Sequence, residues 1–507
     1  MLTLAALPWT AALRNPDAAA LHDHGTGATL DFRGLDRAAS GVAGRLGRRG
    51  VGAGHRVGIC CGNGLAFPAL YYGALRRQAV VVLLPPSAPP PDLARTLRRL
   101  RVSLVASDAE NAARVRAAVR LAGTGARTLV VGEAPGATRH EVSFDALVDH
   151  PSTPPPGVPP DAPAVILATS GTTGTPRAAM HSHLGLLLNA RAVAGEMLHL
   201  DEGDVQLGAL PLAHSFGMSA VLNASVLAGA SVALLPRFDA ADALRAIAER
   251  GVTVLQAVPT MLARLAGQAS RRPAELRLVV VSGAPLPATV ATQVHDRLCD
   301  RVVERYGMTE VSPLTMRLVP PGGGEPGDVG RPLWGVGIRV EGGAAAGELE
   351  ATAPSMFLGY AADRRATDEA LVDGFFRTGD LGRIDADGRV LLTGRLKDLI
   401  IRGGYNVAAR EVEHVLEGHP AVAEVAVVGL PDADLGEEVA AALVLRRGAG
   451  DAVATELRGR CVELLAGYKR PRRWFVLDHL PRTASGKVRK GDLRELLMGR
   501  DPLLSEP

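Results

Sequence analysis

Lysine is nearly missing from this chain. Of its 56 lysines and arginines, only Lys397, Lys469, Lys487 and Lys490 are lysine, all in the last quarter of 507 residues. Arginine cannot replace lysine where a compact ammonium on a flexible stem is needed. The four lysines are therefore functional candidates before any motif is considered. Cysteine is also scarce: Cys60, Cys61, Cys299 and Cys461 show neither metal-ligand spacing nor a disulfide framework, which fits a reducing cytoplasm. A net charge of +3 leaves no electrostatic footprint for nucleic acid. Residues 216–235 are uncharged for about the length of a membrane span. They carry Ser219, Asn223 and Ser225 and break at Gly229, so a buried helix followed by a buried strand is expected, with no transmembrane segment. Residues 1–13 are apolar without a basic leader, and no signal peptide is expected. A Gly-x-Ser-x-Gly elbow and a His-Glu-x-x-His helix are both missing. His181 and His183 lie two apart on a loop tail and do not read as a metal pair.

What is present is a long globular chain, 47% hydrophobic and 21% charged, too long for one ordinary domain. Apolar periodicity predicts helices over 35–48 and 66–77 and strands over 56–61, 79–84, 102–106 and 128–131. Proline-rich 85–91 breaks the chain, and a second proline cluster at 151–163 connects two subdomains over the surface. A capped helix over 239–249, a strand over 252–258 and a helix over 259–266 follow. The alternation continues with strands over 278–281 and 301–305 around a helix over 287–298. This order argues for mostly parallel sheets flanked by helices.

Five stretches carry chemistry. A buried strand over 164–168 gives way to Thr169, Ser170, Gly171, Thr172, Thr173 and Gly174, then to Pro176 and Arg177. Such a loop turns N–H groups and hydroxyls toward one anion, and a trailing cation suits a polyphosphate. It is not the Walker A loop, since no Gly-Lys-Ser/Thr follows. Loops at the carboxyl ends of parallel strands hold nucleotides in open α/β sheets. Here those loops are Gly283-Ala284-Pro285 and Tyr306-Gly307-Met308-Thr309-Glu310. Tyr306 offers a face for a purine, and Thr309 and Glu310 offer hard oxygens suited to Mg²⁺. Arg377-Thr378-Gly379-Asp380 is in isolation an ordinary turn ending in a carboxylate, and Pro481 to Lys487 forms a last stretch.

Together these strings resemble the acyl-adenylate-forming superfamily of acyl- and aryl-CoA synthetases, adenylation domains and luciferases. The resemblance covers about the whole chain, with every motif in order. Departures are Arg177 for lysine, Ala178 for glycine, Ser182 for threonine before His183, Ala409 for proline and Lys490 for arginine. It implies a large N-terminal α/β domain over 1–394 and a small mobile α+β domain over 395–507, hinged near Lys397. It also implies ATP, Mg²⁺ on Glu310 with Thr309, and the β- and γ-phosphates on residues 169–174. Adenine falls to Gly283, Ala284, Pro285 and Tyr306, and ribose to Asp380 with Arg395. Lys487 bridges the acid oxygen and the α-phosphate. Rotation of the small domain brings in the loop of residues 400–406, with Gly403 and Gly404, for attack by a thiol.

The resemblance points to an acid pocket of His214, Phe216, Gly217, Met218, Ala284, Met308 and Ser312, mainly small and apolar. No aspartate stands in 215–217 for an amino-acid ammonium, which disfavours amino acids. The string from Glu304 to Glu310 also resembles malonyl-type CoA ligases, whose second carboxylate would need a pocket arginine; the sequence does not place one. A medium-chain aliphatic or aromatic monocarboxylate is the expected acid. Carrier-loading acyl-AMP ligases usually bear an extra segment soon after the Thr-Gly-Asp motif, and residues 381–394 leave no room for it. Coenzyme A is thus expected as acceptor, with a carrier-protein phosphopantetheine as the alternative and a non-catalytic nucleotide-binding homologue less favoured. Oligomeric state is not legible.

Overall fold

The computed structural model describes residues 3–132, 141–169, 177–446, 453–482, 487–502 and 504–505. The chain divides into two compact units, one of residues 1–322, 332–337 and 352–376, the other of residues 323–331, 338–351 and 377–507. The predicted α/β class with mostly parallel sheets is observed.

The first unit holds two large sheets. One carries six parallel strands in the order Ala19–Asp23, Ser231–Leu234, Val205–Gly208, Val254–Ala257, Leu278–Val281 and Val302–Tyr306. Antiparallel Thr29–Asp31 and Thr315–Leu318 flank that run. The other sheet places Pro163–Thr169 beside Val80–Leu83, Arg56–Cys60, Leu104–Asp108 and Arg127–Val131, all parallel. Its strands are buried on both faces, which is why they read as continuous apolar runs. Val57, Ile59, Val81 and Leu83 join one core with the helices Phe32–Arg48 and Ala66–Arg76. Cys60, Val80, Val82 and Ile166 face a second core, shared with Leu93, Leu97 and Val115.

Capping residues set the helix starts. Asp31 accepts from Gly34 N at 2.6 Å, and Asp239 accepts from Ala241 N and Asp242 N. The proline cluster expected to break the chain in fact ends inside a helix, Pro90–Arg99, whose first turn is Pro90 and Pro91. Proline suits that turn because its missing N–H would be unpaired there anyway. The apolar stretch after His214 winds into a buried π-helical segment, Phe216–Asn223, then Ala224–Ala228, then the strand Ser231–Leu234. Among the described residues no helix is long and apolar enough to cross a membrane.

The second unit centres on the hairpin of Val422–Asp432 and Gly436–Leu445, joined by Arg473–Val476 on one side and by Leu399–Arg402 with Tyr405–Ala408 on the other. Strand alternation splits its core in two. Val425, Val427 and Val439 pack with the helices Ala409–Glu417 and Val453–Leu464, while Ala426, Val428 and Ala440 pack with Lys490–Met498. The antiparallel strands Phe375–Ile384 and Val390–Arg395 carry the Arg-Thr-Gly-Asp stretch.

Candidate active site

Leu278–Val281 and Val302–Tyr306 are parallel neighbours, so the loops leaving their carboxyl ends lie side by side. Ser282 Oγ donates to Arg305 O at 3.0 Å and ties the two together. Gly283, Ala284 and Pro285 are exposed, a surface open to a flat base, while Tyr306 closes its strand at 8% exposure. The turn at Gly307 needs glycine, since a Cβ there would sit 2.9 Å from Ser312 Oγ.

Glu310 is held from two sides. Phe357 N donates to its carbonyl at 2.8 Å, and the Tyr360 hydroxyl donates to Oε1 at 2.9 Å. Burial, and then the Glu310 charge, push the Tyr360 phenol well above its ordinary value, so it stays a donor. The Arg177 guanidinium lies 5.1 Å from the Tyr360 ring centre. Thr169 and Arg177 pair at the base of the phosphate-loop hairpin. Ser170, Gly171, Thr172, Thr173 and Gly174 lie outside the described residues. Glu310 and Thr309 together offer a carboxylate and a hydroxyl, the hard-oxygen donors Mg²⁺ takes alongside phosphate.

Beside Thr309 is a small enclosed cavity of about 10 Å³. His181, Asn189, Ser215, Ser219, Arg305 and Ser312 are among its lining residues. Of the residues expected to form the acid pocket, Ser312 lines it and Phe216 stacks beneath Arg305, its ring centre 4.3 Å from the guanidinium carbon. His214 lies at the start of the same turn, its Nδ1 accepting from Phe216 N at 3.3 Å, which leaves the proton of the neutral ring on Nε2. Gly217 lets the chain pass within reach of Pro211, whose carbonyl oxygen would be 2.3 Å from a Cβ. Met218 is fully buried in the core, Met308 is half-buried, and Ala284 is exposed.

Arg305 was not among the expected residues, and it is the cavity's most unusual member. It is 7% exposed, and among the described residues its Nη2 reaches only Ser312 Oγ at 3.4 Å while its Nε and Nη1 have no hydrogen-bond partner. Burial pushes its pKa down to about 10, leaving it charged at neutral pH. Its strand neighbour Glu304 is matched by Arg317 at 2.6 Å. The His181 ring is buried, and burial, only partly offset by the Thr309 backbone, lowers its pKa to about 4.

In the second unit Asp380 is buried opposite Arg395, with Nε 2.9 Å from Oδ1. Glu348 braces the approach, accepting from Gly379 N at 2.9 Å and from Arg377 Nε at 3.0 Å. Residues 385–388 turn tightly, with Gly388 N donating to Asp385 O, so the connection to Arg395 is a plain hairpin. Lys397 is exposed in the turn Leu396–Asp398. Gly403 and Gly404, with φ of +56° and +82°, join Leu399–Arg402 to Tyr405–Ala408 in a two-residue hairpin turn. Lys487 is half-buried beside the Arg482–Val488 bridge. Lys469 is held by Glu411 at 2.6 Å and Lys490 by Glu413 at 2.7 Å.

The AMP-binding enzyme family matches residues 8–361, and the AMP-binding enzyme C-terminal domain matches residues 411–487. The sulfoacetate–CoA ligase of Cupriavidus necator is 35% identical over 500 residues, covering 96% of each chain. The feruloyl-CoA synthase of Amycolatopsis sp is 33% identical, covering 97% of this chain and 98% of that one. Among solved structures, ATP-bound MatB from Rhodopseudomonas palustris superposes with a TM-score of 0.88 at 31% identity, over 98% of this chain and 99% of that one. The fold is that of an adenylate-forming enzyme. The chain belongs to the AMP-binding enzyme family, and within it is an acid–thiol ligase. It activates a carboxylic acid with ATP as an acyl adenylate and transfers the acyl group to coenzyme A.

Proposed function

We propose that the acid is one bearing a second anionic group, a dicarboxylate or a sulfonated carboxylate, and that Arg305 anchors that second group. The carrying observation is a buried, charged guanidinium with no carboxylate within ion-pair distance among the described residues. A buried cation of this kind is costly unless a partner arrives. An anionic substrate group is such a partner. The monocarboxylate expected from the apolar residues left this cation out. Among relatives, the substrate named for one, sulfoacetate, carries a second charge and that named for another, ferulate, does not; the buried Arg305 supports the two-charge reading.

The remaining roles follow from the chemistry. The acid carboxylate attacks the α-phosphorus and pyrophosphate leaves, so three anionic centres must be neutralised and aligned. His214 Nε2–H orients the reacting carboxylate. Lys487 supplies the cation where charge builds between acid oxygen and α-phosphate. Residues 169–174 and Arg177 take the leaving phosphates, Glu310 with Thr309 would hold Mg²⁺, and that ion would neutralise phosphate charge. Gly283, Ala284, Pro285 and Tyr306 take adenine, and Asp380 with Arg395 takes ribose. Gly403 and Gly404 serve the thiol step, and Lys397 is the hinge between functional parts 1–394 and 395–507.

Acid-dependent pyrophosphate release across malonate, succinate, sulfoacetate, propionate, butyrate and benzoate, with and without coenzyme A, tests the reading. Two-charge acids should exceed their one-charge analogues by about 30-fold or more in kcat/KM, the scale of a buried charge pair. Preference for propionate or benzoate refutes the anion anchor. Thioester formed only on a phosphopantetheinylated carrier protein would replace coenzyme A as acceptor, and ATP binding without pyrophosphate release would refute ligase activity.

A further inference from the structure

The segment that carries Ser215, Phe216 and Ser219 past the cavity is π-helical, and something must hold it so. A π-turn spends one extra residue and leaves a carbonyl without its α-helical donor. Here the Ala224 N–H bypasses Ala220 and bonds to Ser219 O and Val221 O. The carbonyl of Ala220 is caught instead by two side chains. Gln256 Nε2 donates to it at 2.6 Å, and Gln206 Nε2 reaches it at 3.3 Å. Both glutamines are fully buried, on the adjacent parallel strands Val254–Ala257 and Val205–Gly208. They are bonded to each other, Gln256 Nε2 to Gln206 Oε1 at 2.7 Å, and Gln206 also donates to Ser225 Oγ at 2.9 Å.

We infer that Gln206 and Gln256 are positioning residues for acid selection, holding the wide turn that sets Phe216 against Arg305 and Ser215 and Ser219 along the cavity. The inference rests on the acid-pocket reading above. Buried amides are costly unless used, and here Gln256 donates to Ala220 O and Gln206 Oε1 while Gln206 reaches Ala220 O, Val221 O and Ser225 Oγ, so both brace the same π-helical stretch. Without those donors the turn relaxes toward α-helical winding. One residue of register is a rotation of about 100°, enough to carry Phe216 off the guanidinium. The glutamines touch no substrate; they act through the turn.

The test is Gln256→Met, which keeps length and removes the donors, with Gln206→Met and Ser225→Ala as milder variants should the first fold poorly. Steady-state kinetics are measured with the best acid of the wild-type panel and its closest analogue, varying acid and ATP separately. Gln256→Met should raise KM for the acid at least ten-fold and change the preference between the two acids at least five-fold, with KM for ATP within two-fold. Gln206→Met should move the same quantities less, and Ser225→Ala least. An unchanged acid preference, or KM for acid and ATP rising together, overturns the inference. If the wild type prefers a one-charge acid, the Arg305 anchor fails, yet the split between acid and ATP still decides the role of the glutamines.

Discussion

Two buried arginines separate the two units. In the second unit Arg402 meets Glu438 through two bonds, Nε to Oε1 at 2.6 Å and Nη2 to Oε2 at 2.9 Å. In the first unit Arg305 is as buried, yet meets an aromatic face and one distant hydroxyl. A cation satisfied within the fold is structural; one with open donors among the described residues is the anchor proposed above for an anionic substrate group. The lysines divide the same way. Lys469 and Lys490 are clamped by glutamates of the helix Ala409–Glu417 and brace the second unit. Lysine scarcity therefore narrowed the search without finishing it.

The largest effect tests the working side of that division. Lys487→Ala, and equally Lys487→Arg, should lower acid-dependent pyrophosphate release by about 10²–10³-fold or more, as loss of a transition-state charge partner does. Thioester formation from supplied acyl adenylate should persist. Near-normal pyrophosphate release by either variant would place the working cation elsewhere. Lys469→Ala, by contrast, should cost little activity.

Next come the paired substitutions Arg305→Met and Arg402→Met. Removing Arg402 strands a buried glutamate and should destabilise the protein by about 3–5 kcal/mol in denaturant unfolding. Removing Arg305 strands nothing, so stability should hold or rise, while kcat/KM for a two-charge acid falls about 30-fold or more. Equal loss of stability in both would erase the distinction between them.

Much of the first unit was legible because fully buried parallel strands read as apolar runs; Leu278–Val281 was bounded from sequence alone. The motif residues Glu310, Asp380 and Lys487 were singled out because the strings around them match the pattern of the resembled family. Arg305 was not. In Val-Val-Glu-Arg-Tyr it looks like one of two ordinary charges, and only the fold reveals that both strand faces are buried and that Arg317 answers Glu304 alone. The usable signal was two adjacent charges inside a strand between buried strands. Gln206 and Gln256 escaped similarly, although a lone glutamine in Val-Gln-Leu-Gly or Val-Leu-Gln-Ala is the same kind of mark. The helix Pro90–Arg99 was hidden because proline was weighed as a breaker rather than as a first-turn residue.

A pH experiment extends the comparison to histidine. Burial lowers the His181 pKa to about 4, against an ordinary 6.5. Between those values the unfolded chain binds a proton that the folded chain refuses, so stability falls as pH drops from about 6.5 toward 4, by about 3 kcal/mol. His183, lowered to about 4 by the same cause, adds a similar acid limb. His181→Leu should flatten its share of that slope in denaturant titrations at pH 7 and pH 5. An unchanged slope would mean that the ring finds a proton-stabilising partner in the fold.

The smallest effect concerns a departure from the family pattern on the braced side. Ala409, a departure from the resembled pattern, opens the helix Ala409–Glu417. Proline is preorganised at a first helical position and needs no donor there. The preceding residue must be extended, and Ala408 is, with φ −74° and ψ 111°. Ala409→Pro should therefore stabilise by about 0.4–1 kcal/mol, mainly by restricting the unfolded chain. Because Ala409 lies one residue beyond the strand Tyr405–Ala408, the Gly403–Gly404 turn should keep its register, and thioester formation should change less than two-fold. A destabilised Ala409→Pro would show that the Ala409 N–H is used in the fold, and that the helix start differs here from the proline-bearing pattern.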